Sequence, residues 1–167
     1  MSRSDRDRDS TGRAQNRRPR DRYGRPLPYG APGVPRIPDD AVFTPREGLR
    51  AAQRLLDDGY AFHAHEVLEA VWKAAPEPER ELWRGLAQVA VGLTHAQRGN
   101  LTGAARLLRR GADRVAGYAG AEEATRYGVD APGVAAHAHA VANRIEADPE
   151  GAVDPAKLRL TGPEPAR

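Results

Sequence analysis

Apolar residues recur three and four positions apart from Thr44 to Pro149, and this spacing predicts a series of amphipathic helices. The first helix begins at the capping box Thr44-Pro-Arg-Glu47 and ends at Asp58-Gly59. Further helices, ending at glycine or proline, are predicted over about residues 60–75, 79–98, 101–118 and 130–148. No segment alternates apolar and polar residues over a useful length. The pattern predicts an all-α fold, a compact open bundle of about five helices.

The two ends of the chain differ in composition from the helical part. Residues 1–40 hold ten arginines and six aspartates, become rich in proline and glycine, and carry few apolar residues. Such a segment buries too little apolar surface to offset the entropy of ordering, so we expect a disordered tail. Residues 41–148 form the predicted helical domain, and residues 149–167 form a predicted extended C-terminal tail.

The excess positive charge of the chain lies in its N-terminal tail. The whole chain carries +3 and residues 1–40 carry +4, so the remainder carries −1. We therefore expect no nucleic-acid contact beyond weak, salt-sensitive contacts of the tail. The sequence leaves open whether the protein binds another protein or a second copy of itself.

Other function classes are restricted by residues that the chain lacks. Cysteine is absent, which excludes disulfides and cysteine-based metal or nucleophile sites. No apolar run approaches the roughly 20 residues that a membrane-spanning helix needs, and the N-terminus has no apolar core of a signal peptide. We expect a cytoplasmic protein with no membrane partner.

The second predicted helix carries polar residues in an apolar stripe. His65 and Glu69 are four residues apart, so they share one helix face, which also carries Leu68 and Trp72. Burying an imidazole and a carboxylate costs free energy unless each finds a partner. The segment therefore predicts a site.

The third predicted helix carries a second stripe beside its apolar face. An interior glycine costs roughly 1 kcal/mol relative to alanine, so glycines in register indicate that another backbone approaches closely. We expect this neighbour to be the helix that carries His65. The stripe consists of Gly85, Gln88, Gly92, His95 and Gly99. The prediction is a buried polar cluster, roofed by Trp72, of His65, Glu69, Gln88 and His95.

Three motifs in this order resemble a known family. They are His65-Glu66-x-x-Glu69-x-x-Trp72, Gly85-Leu-x-Gln88 and His95-x-x-x-Gly99-Asn100-x-x-Gly103-Ala104. Together they resemble domain-of-unknown-function family 309, small helical proteins of bacteria and archaea, over roughly Arg46 to Tyr118. The resemblance implies a compact open helical bundle and no established activity. Members often carry the label predicted metal-dependent hydrolase.

One interpretation of the cluster is a metal site. His65, Glu69 and His95 would be the ligands of a divalent metal, and Glu66 would be the general base for a metal-bound water. Two ligands on one helix face and a third from a neighbour suit this geometry. Glu66, however, points about 100° away from His65 around the helix. A metal-dependent hydrolase is the function that this interpretation predicts.

The alternative interpretation is structural. His65 would pair with Glu69, and Gln88 and His95 would complete a hydrogen-bond network near Asn100. The protein would then be a non-enzymatic helical binding or scaffold module. A pocket for an organic ligand is a third interpretation. An enzyme needs the cluster open to water, whereas a scaffold can leave it sealed.

Overall fold

The structure is a computed structural model that describes residues 19–118 and 127–162, and helices dominate these residues. The α-helices are α1 (Pro45–Asp57), α2 (Ala61–Ala74), α3 (Arg80–Gln97), α4 (Leu101–Ala116) and α5 (Ala131–Ala147). Two short 3-10 turns cover Glu77–Glu79 and Pro155–Lys157. The prediction of an all-α bundle of about five helices is confirmed.

Local sequence signals set the helix ends. Thr44 Oγ1 accepts a hydrogen bond from the Glu47 N–H at 3.2 Å, and the Glu47 carboxylate accepts one from the Thr44 N–H in return. Asn100 and Asp130 cap α4 and α5 by accepting from the N–H three residues further on, both at 3.1 Å. Gly99, with φ +80°, turns the chain after α3. The predicted ends therefore lie within about two residues of those observed.

Each helix packs mainly on its neighbours in sequence, from α1 to α5, and together they enclose one apolar core. The face of α2 in this core carries Ala64, Val67, Leu68 and Val71, all of them buried. His65 lies at the edge of that face. Within residues 19–118 and 127–162, no helix combines the length and apolar character that crossing a membrane requires.

Glycines bring α3 and α4 into close contact. A Cβ on Gly92 would lie 2.8 Å from Leu108 Cγ, and one on Gly85 would lie 2.8 Å from Val115 Cγ2. On α4, a Cβ on Gly111 would lie 2.9 Å from the Gly85 carbonyl oxygen. The close approach that the glycine stripe predicts is present, but the neighbour is α4 and not α2. The reason is that α4 has its own glycine opposite the stripe, whereas α2 packs on α3 elsewhere.

Residues 19–40, which we call the N-terminal strap, run against the helical bundle. Arg36 Nη2 donates a hydrogen bond to Glu66 Oε2 at 2.9 Å and so ties the strap to α2. Disorder was predicted for residues 1–40, of which residues 1–18 lie outside the described residues. The contacts of the strap are with residues remote in sequence, which local composition does not register. The domain boundary at residue 41 stays a prediction.

The C-terminal segment also packs on the bundle. Leu158 and Leu160 are buried in the core, where an extended tail was predicted over residues 149–167. Gln53 of α1 donates to the Leu158 carbonyl and accepts from the Leu160 N–H, both at 2.9 Å. The apolar pair Leu-Arg-Leu is the sequence signal for this packing. Residues 163–167 lie outside the described residues.

Candidate functional site

His65 and Glu69 form a direct pair on α2. His65 Nε2 lies 3.2 Å from Glu69 Oε2, and Lys73 Nζ lies 3.3 Å from the other Glu69 oxygen. The second His65 ring nitrogen lies 3.3 Å from the Phe62 carbonyl oxygen. The two side chains are 22% and 35% exposed, so the pair sits at the rim of the core.

The charge of Glu69 is strongly stabilised. The pKa of Glu69 is lowered to about 2, first by the hydrogen bond with His65, against an opposing effect of burial, and further by the charges of His65 and Lys73. A carboxylate with this pKa is ionised across the physiological range. It therefore acts as a fixed negative charge on α2 and is unsuited to proton transfer near pH 7.

The other members of the predicted cluster lie elsewhere. His95 Nδ1 lies 3.0 Å from Asn100 Nδ2, at the junction of α3 and α4. Burial, followed by the charge of Arg98, lowers the pKa of His95. Gln88 Oε1 is buried and has no hydrogen-bond partner in the part of the chain that the structure describes, and Trp72 is half-buried against the core. The structure thus brings together two separate pairs, His65 with Glu69 and His95 with Asn100.

A three-ligand metal centre is not formed by the described residues. In residues 19–118 and 127–162, no three histidine, aspartate or glutamate side chains lie close enough together to hold one ion. Of the predicted ligands His65, Glu69 and His95, only the first two are in contact. Two ligands from one helix leave a metal to be completed by water or by another molecule.

Glu66, the predicted general base, faces the strap. Its Oε2 accepts the hydrogen bond from Arg36, and the side chain is only 11% exposed. Its Oε1 is buried and has no hydrogen-bond partner among the described residues. Glu66 and Glu69 border a groove of about 350 Å³, whose lining also includes Lys73 and residues 37–42. The Glu66 carboxylate thus joins two parts of the chain that are 30 residues apart.

Sequence reasoning selected His65 and missed His63, which is fully buried. Within residues 19–118 and 127–162, neither ring nitrogen of His63 has a hydrogen-bond partner, and the ring packs edge-on against Tyr60 and Phe62. The pKa of His63 is lowered, and burial is the largest cause. The charges of Arg36 and Arg20 lower it further, whereas those of Glu66 and Asp21 partly offset the effect. His63 is therefore a neutral core residue near neutral pH. The sequence signal for its burial is its position among the apolar residues Ala61, Ala64 and Val67.

Arginines and aromatic rings meet where the strap covers α2. The guanidinium carbons of Arg20 and Arg98 lie 5.3 and 5.7 Å from the centre of the Phe62 ring. Gly24 lies so close to this ring that a Cβ there would overlap it, and its φ is +73°. The sequence analysis did not predict these contacts either. The segment Arg20-Asp-Arg-Tyr-Gly-Arg25, with basic and aromatic residues around a glycine, was the signal for them.

Comparison with known proteins agrees with the motifs. Residues 49–107 match the family described as Domain of unknown function (DUF309). The chain is 46% identical over 48 residues to the Uncharacterized protein YpuF of Bacillus subtilis (strain 168), an alignment that covers 28% of each chain. No solved structure gives a significant match. Residues 49–107 therefore resemble a DUF309 domain and contain all three motifs, and the chain spans about 28% of the length of the curated relative that it matches.

Proposed function

We propose that this protein is a non-catalytic helical binding module, in which the polar residues of the DUF309 motif organise a docking surface. The observation that carries the proposal is the hydrogen bond between Arg36 and Glu66. Through this bond Glu66, the predicted general base, holds the strap on α2. With Oε2 held by the Arg36 guanidinium, this oxygen of the Glu66 carboxylate is not free to accept a proton from a water molecule.

The remaining motif residues support the same proposal. Glu69 is bound by His65 and Lys73, and Asn100 caps α4 while it contacts His95. Each of these contacts fixes the position of a helix or a side chain.

Charge is distributed unevenly along the strap, as a docking surface requires. Its C-terminal end borders the groove that contains Asp39, Asp40 and Lys73. Its N-terminal end carries Arg20, which lies over the Phe62 ring, and also Arg22 and Arg25. A module of this kind presents one acidic and one basic surface at opposite ends of a single segment, and complementary charge steers a partner to such surfaces.

The competing function is a hydrolase in which His65 and Glu69 bind a divalent metal and Glu66 activates water. The open groove beside Glu66 and Glu69 is the observation that favours it. This mechanism requires Glu66 to release Arg36 and a third ligand to join from outside the pair. The two functions therefore differ in what Glu66 does.

Hydrolysis assays on the full chain separate the two functions. Generic ester and phosphoester substrates are supplied with zinc, manganese or iron(II), and the parent is compared with Glu66→Gln. The proposal predicts no hydrolysis above the level of the Glu66→Gln variant. Metal-dependent hydrolysis that the parent shows and that Glu66→Gln loses, with an unchanged circular dichroism spectrum, would overturn it.

A further inference from the structure

Three arginines contact Tyr23, two of them at its ring and one at its main-chain carbonyl. The guanidinium carbons of Arg22 and Arg25 lie 5.5 and 5.9 Å from the centre of the ring. Arg98, at the end of α3, donates from Nε to the Tyr23 carbonyl at 2.8 Å. Arg25 Nη2 in turn donates to the Arg98 carbonyl at 3.1 Å. Two parts of the chain more than 70 residues apart thus form one basic surface, which we call the arginine surface.

The charges of the arginine surface are not neutralised. The hydrogen bonds of Arg22, Arg25 and Arg98 go to main-chain carbonyls, and among the described residues none of the three forms an ion pair. Arginines elsewhere in the protein behave differently, since Arg109 pairs with Glu146. A carbonyl satisfies a guanidinium N–H but leaves its full positive charge in place.

The like charges are held close enough to affect one another. The pKa of Arg98 is lowered first by burial and then by the charge of Arg25, and Asp21 offsets only part of this. Asp21 Oδ1 already accepts from the Tyr23 and Arg25 N–H groups, both at 2.9 Å, which shapes the turn. An anion that docks on this surface relieves the repulsion without displacing an internal ion pair.

Sequence indicates that the anion is long. Residues 1–25, which lead into and include the strap part of the arginine surface, contain nine arginines and four aspartates, a net charge of +5. A single phosphate cannot contact so extended a basic segment, whereas a polymer of phosphates can.

Aromatic side chains on the strap indicate the kind of polymer. Tyr23 is half-buried, with two guanidinium groups within 6 Å of its ring centre, and Tyr29, six residues further on, is 57% exposed. Basic residues that alternate with aromatic rings are typical of surfaces on which unpaired bases stack. We propose that the strap and the end of α3 bind single-stranded nucleic acid, with arginines on the phosphates and the two tyrosines against bases. This proposal rests on the proposed function, because it names the ligand of the docking surface.

The test is a binding titration with the full chain. Fluorescence anisotropy follows labelled 12-nucleotide oligouridylate and oligodeoxythymidylate at several salt concentrations, and the two oligomers distinguish RNA from DNA. The affinity should fall with salt, with a slope of log affinity of roughly −0.7 per phosphate contact. The doubly substituted chain with Arg22→Glu and Arg25→Glu should bind at least about tenfold more weakly and with a shallower slope.

Matched variants separate charge from folding and from stacking. The chain with Arg22→Lys and Arg25→Lys keeps the charge and should retain most of the salt-dependent affinity. Arg110→Glu, on the exposed side of α4, should leave the affinity within about twofold, because it is outside the surface. Tyr29→Ala should weaken binding by about tenfold, whereas Tyr29→Trp should retain it.

Three results would overturn the proposal. The first is parent affinity equal to that of the Arg22→Glu, Arg25→Glu chain, and the second is affinity that does not respond to salt. The third is displacement of the oligomer by polyglutamate of the same length at equal concentration, which would assign the surface to an acidic protein. Failure of oligomer binding leaves the non-catalytic module in place, whereas hydrolysis that depends on Glu66 would overturn that function without changing oligomer binding.

Discussion

Arg36 and Glu66 join the N-terminal strap to α2 through a hydrogen bond of 2.9 Å between Nη2 and Oε2, and both side chains are at least four-fifths buried. Removing one partner of such a pair leaves the other charge buried without its counter-ion. The bond therefore determines whether the strap stays on the bundle. It also gives Glu66, an acidic residue of the motif, a structural role in place of a catalytic one.

Loss of this bond should expose the strap to proteolysis. We expect Glu66→Ala to speed trypsin cleavage after Arg20 and Arg22, because the strap opens more often when it loses a contact. Glu66→Gln should have a smaller effect, since an amide oxygen still accepts a hydrogen bond. Mass spectrometry of timed digests measures the rates, and Arg54→Ala on α1 is the control. Cleavage at the parent rate in Glu66→Ala would mean that the bond does not hold the strap.

Close packing between α3 and α4 should make Gly111 intolerant of a side chain. A Cβ there would lie 2.9 Å from both the Gly85 carbonyl oxygen and the Val89 nitrogen, which are main-chain atoms that cannot move aside. Gly111→Ala should therefore lower the free energy of unfolding by about 1–3 kcal/mol, although alanine is the better helix former. Urea denaturation measures it, with Gly117→Ala at the exposed end of α4 as the control. An increase in stability would show that the helices are further apart.

Buried His63 should make stability depend on pH. Because its pKa is lowered in the folded state, the unfolded chain takes up the proton first as pH falls below the ordinary value near 6.5. Stability is thus fully present above that value and decreases as pH falls toward the lowered pKa. His95 and His137, whose pKa values are also lowered, contribute in the same direction.

Substitution isolates the share of His63. His63→Leu should flatten the dependence of the unfolding free energy on pH between about 6.5 and 5, while the other two histidines preserve a residual slope. Denaturation at a series of pH values measures the slope, with His139→Ala, at an exposed pair, as the control. An unchanged slope in His63→Leu would show that His63 is protonated in the folded protein.

The low pKa of Glu69 should depend mainly on His65. In the parent, the stability that Glu69 contributes is present above pH 4.5 and is lost as pH falls toward about 2. His65→Ala should raise the pKa of Glu69, and Lys73→Ala should raise it less, because the hydrogen bond with His65 is the larger cause. NMR titration of the Glu69 carboxyl carbon measures the shift in each variant. If the pKa of Glu69 rose more in Lys73→Ala than in His65→Ala, Lys73 and not His65 would be the main cause of the low pKa.

The sequence predicts the helices well because their signals are local. The capping box at Thr44, the turn at Gly99 and the caps at Asn100 and Asp130 each act within a few residues. Spacing along a helix also identifies which residues share a face. These features need no knowledge of what the face contacts.

The partner of each face requires the tertiary structure. The glycine stripe of α3 indicates a close approach, but only the position of Gly111 shows that α4 makes it. The buried face of α2 is rotated from the predicted one, so that His63 enters the core and His65 lies at its rim. The order of the strap depends on contacts with residues 30 or more positions away, which local composition does not encode.

The same limit applies to the candidate site. Sequence alone placed His65, Glu69 and His95 in one cluster because the stripe of α3 was assigned to the wrong neighbour. With α4 in that place, His95 lies with Asn100, and the pair on α2 lacks its third predicted ligand. The motif is thus recognisable from the sequence, whereas its chemistry depends on how α3 is oriented.

Metal content tests the central claim most directly. The full chain is purified, incubated with zinc, manganese or iron(II), passed through a desalting column and analysed for bound metal, alongside His65→Ala and Glu69→Gln. We expect the parent to retain no more metal than either variant, because the two contacting ligands on one helix lack a third among the described residues. Retention of one metal ion per chain by the parent, lost in both variants, would contradict the non-catalytic account and restore Glu66 as the candidate base.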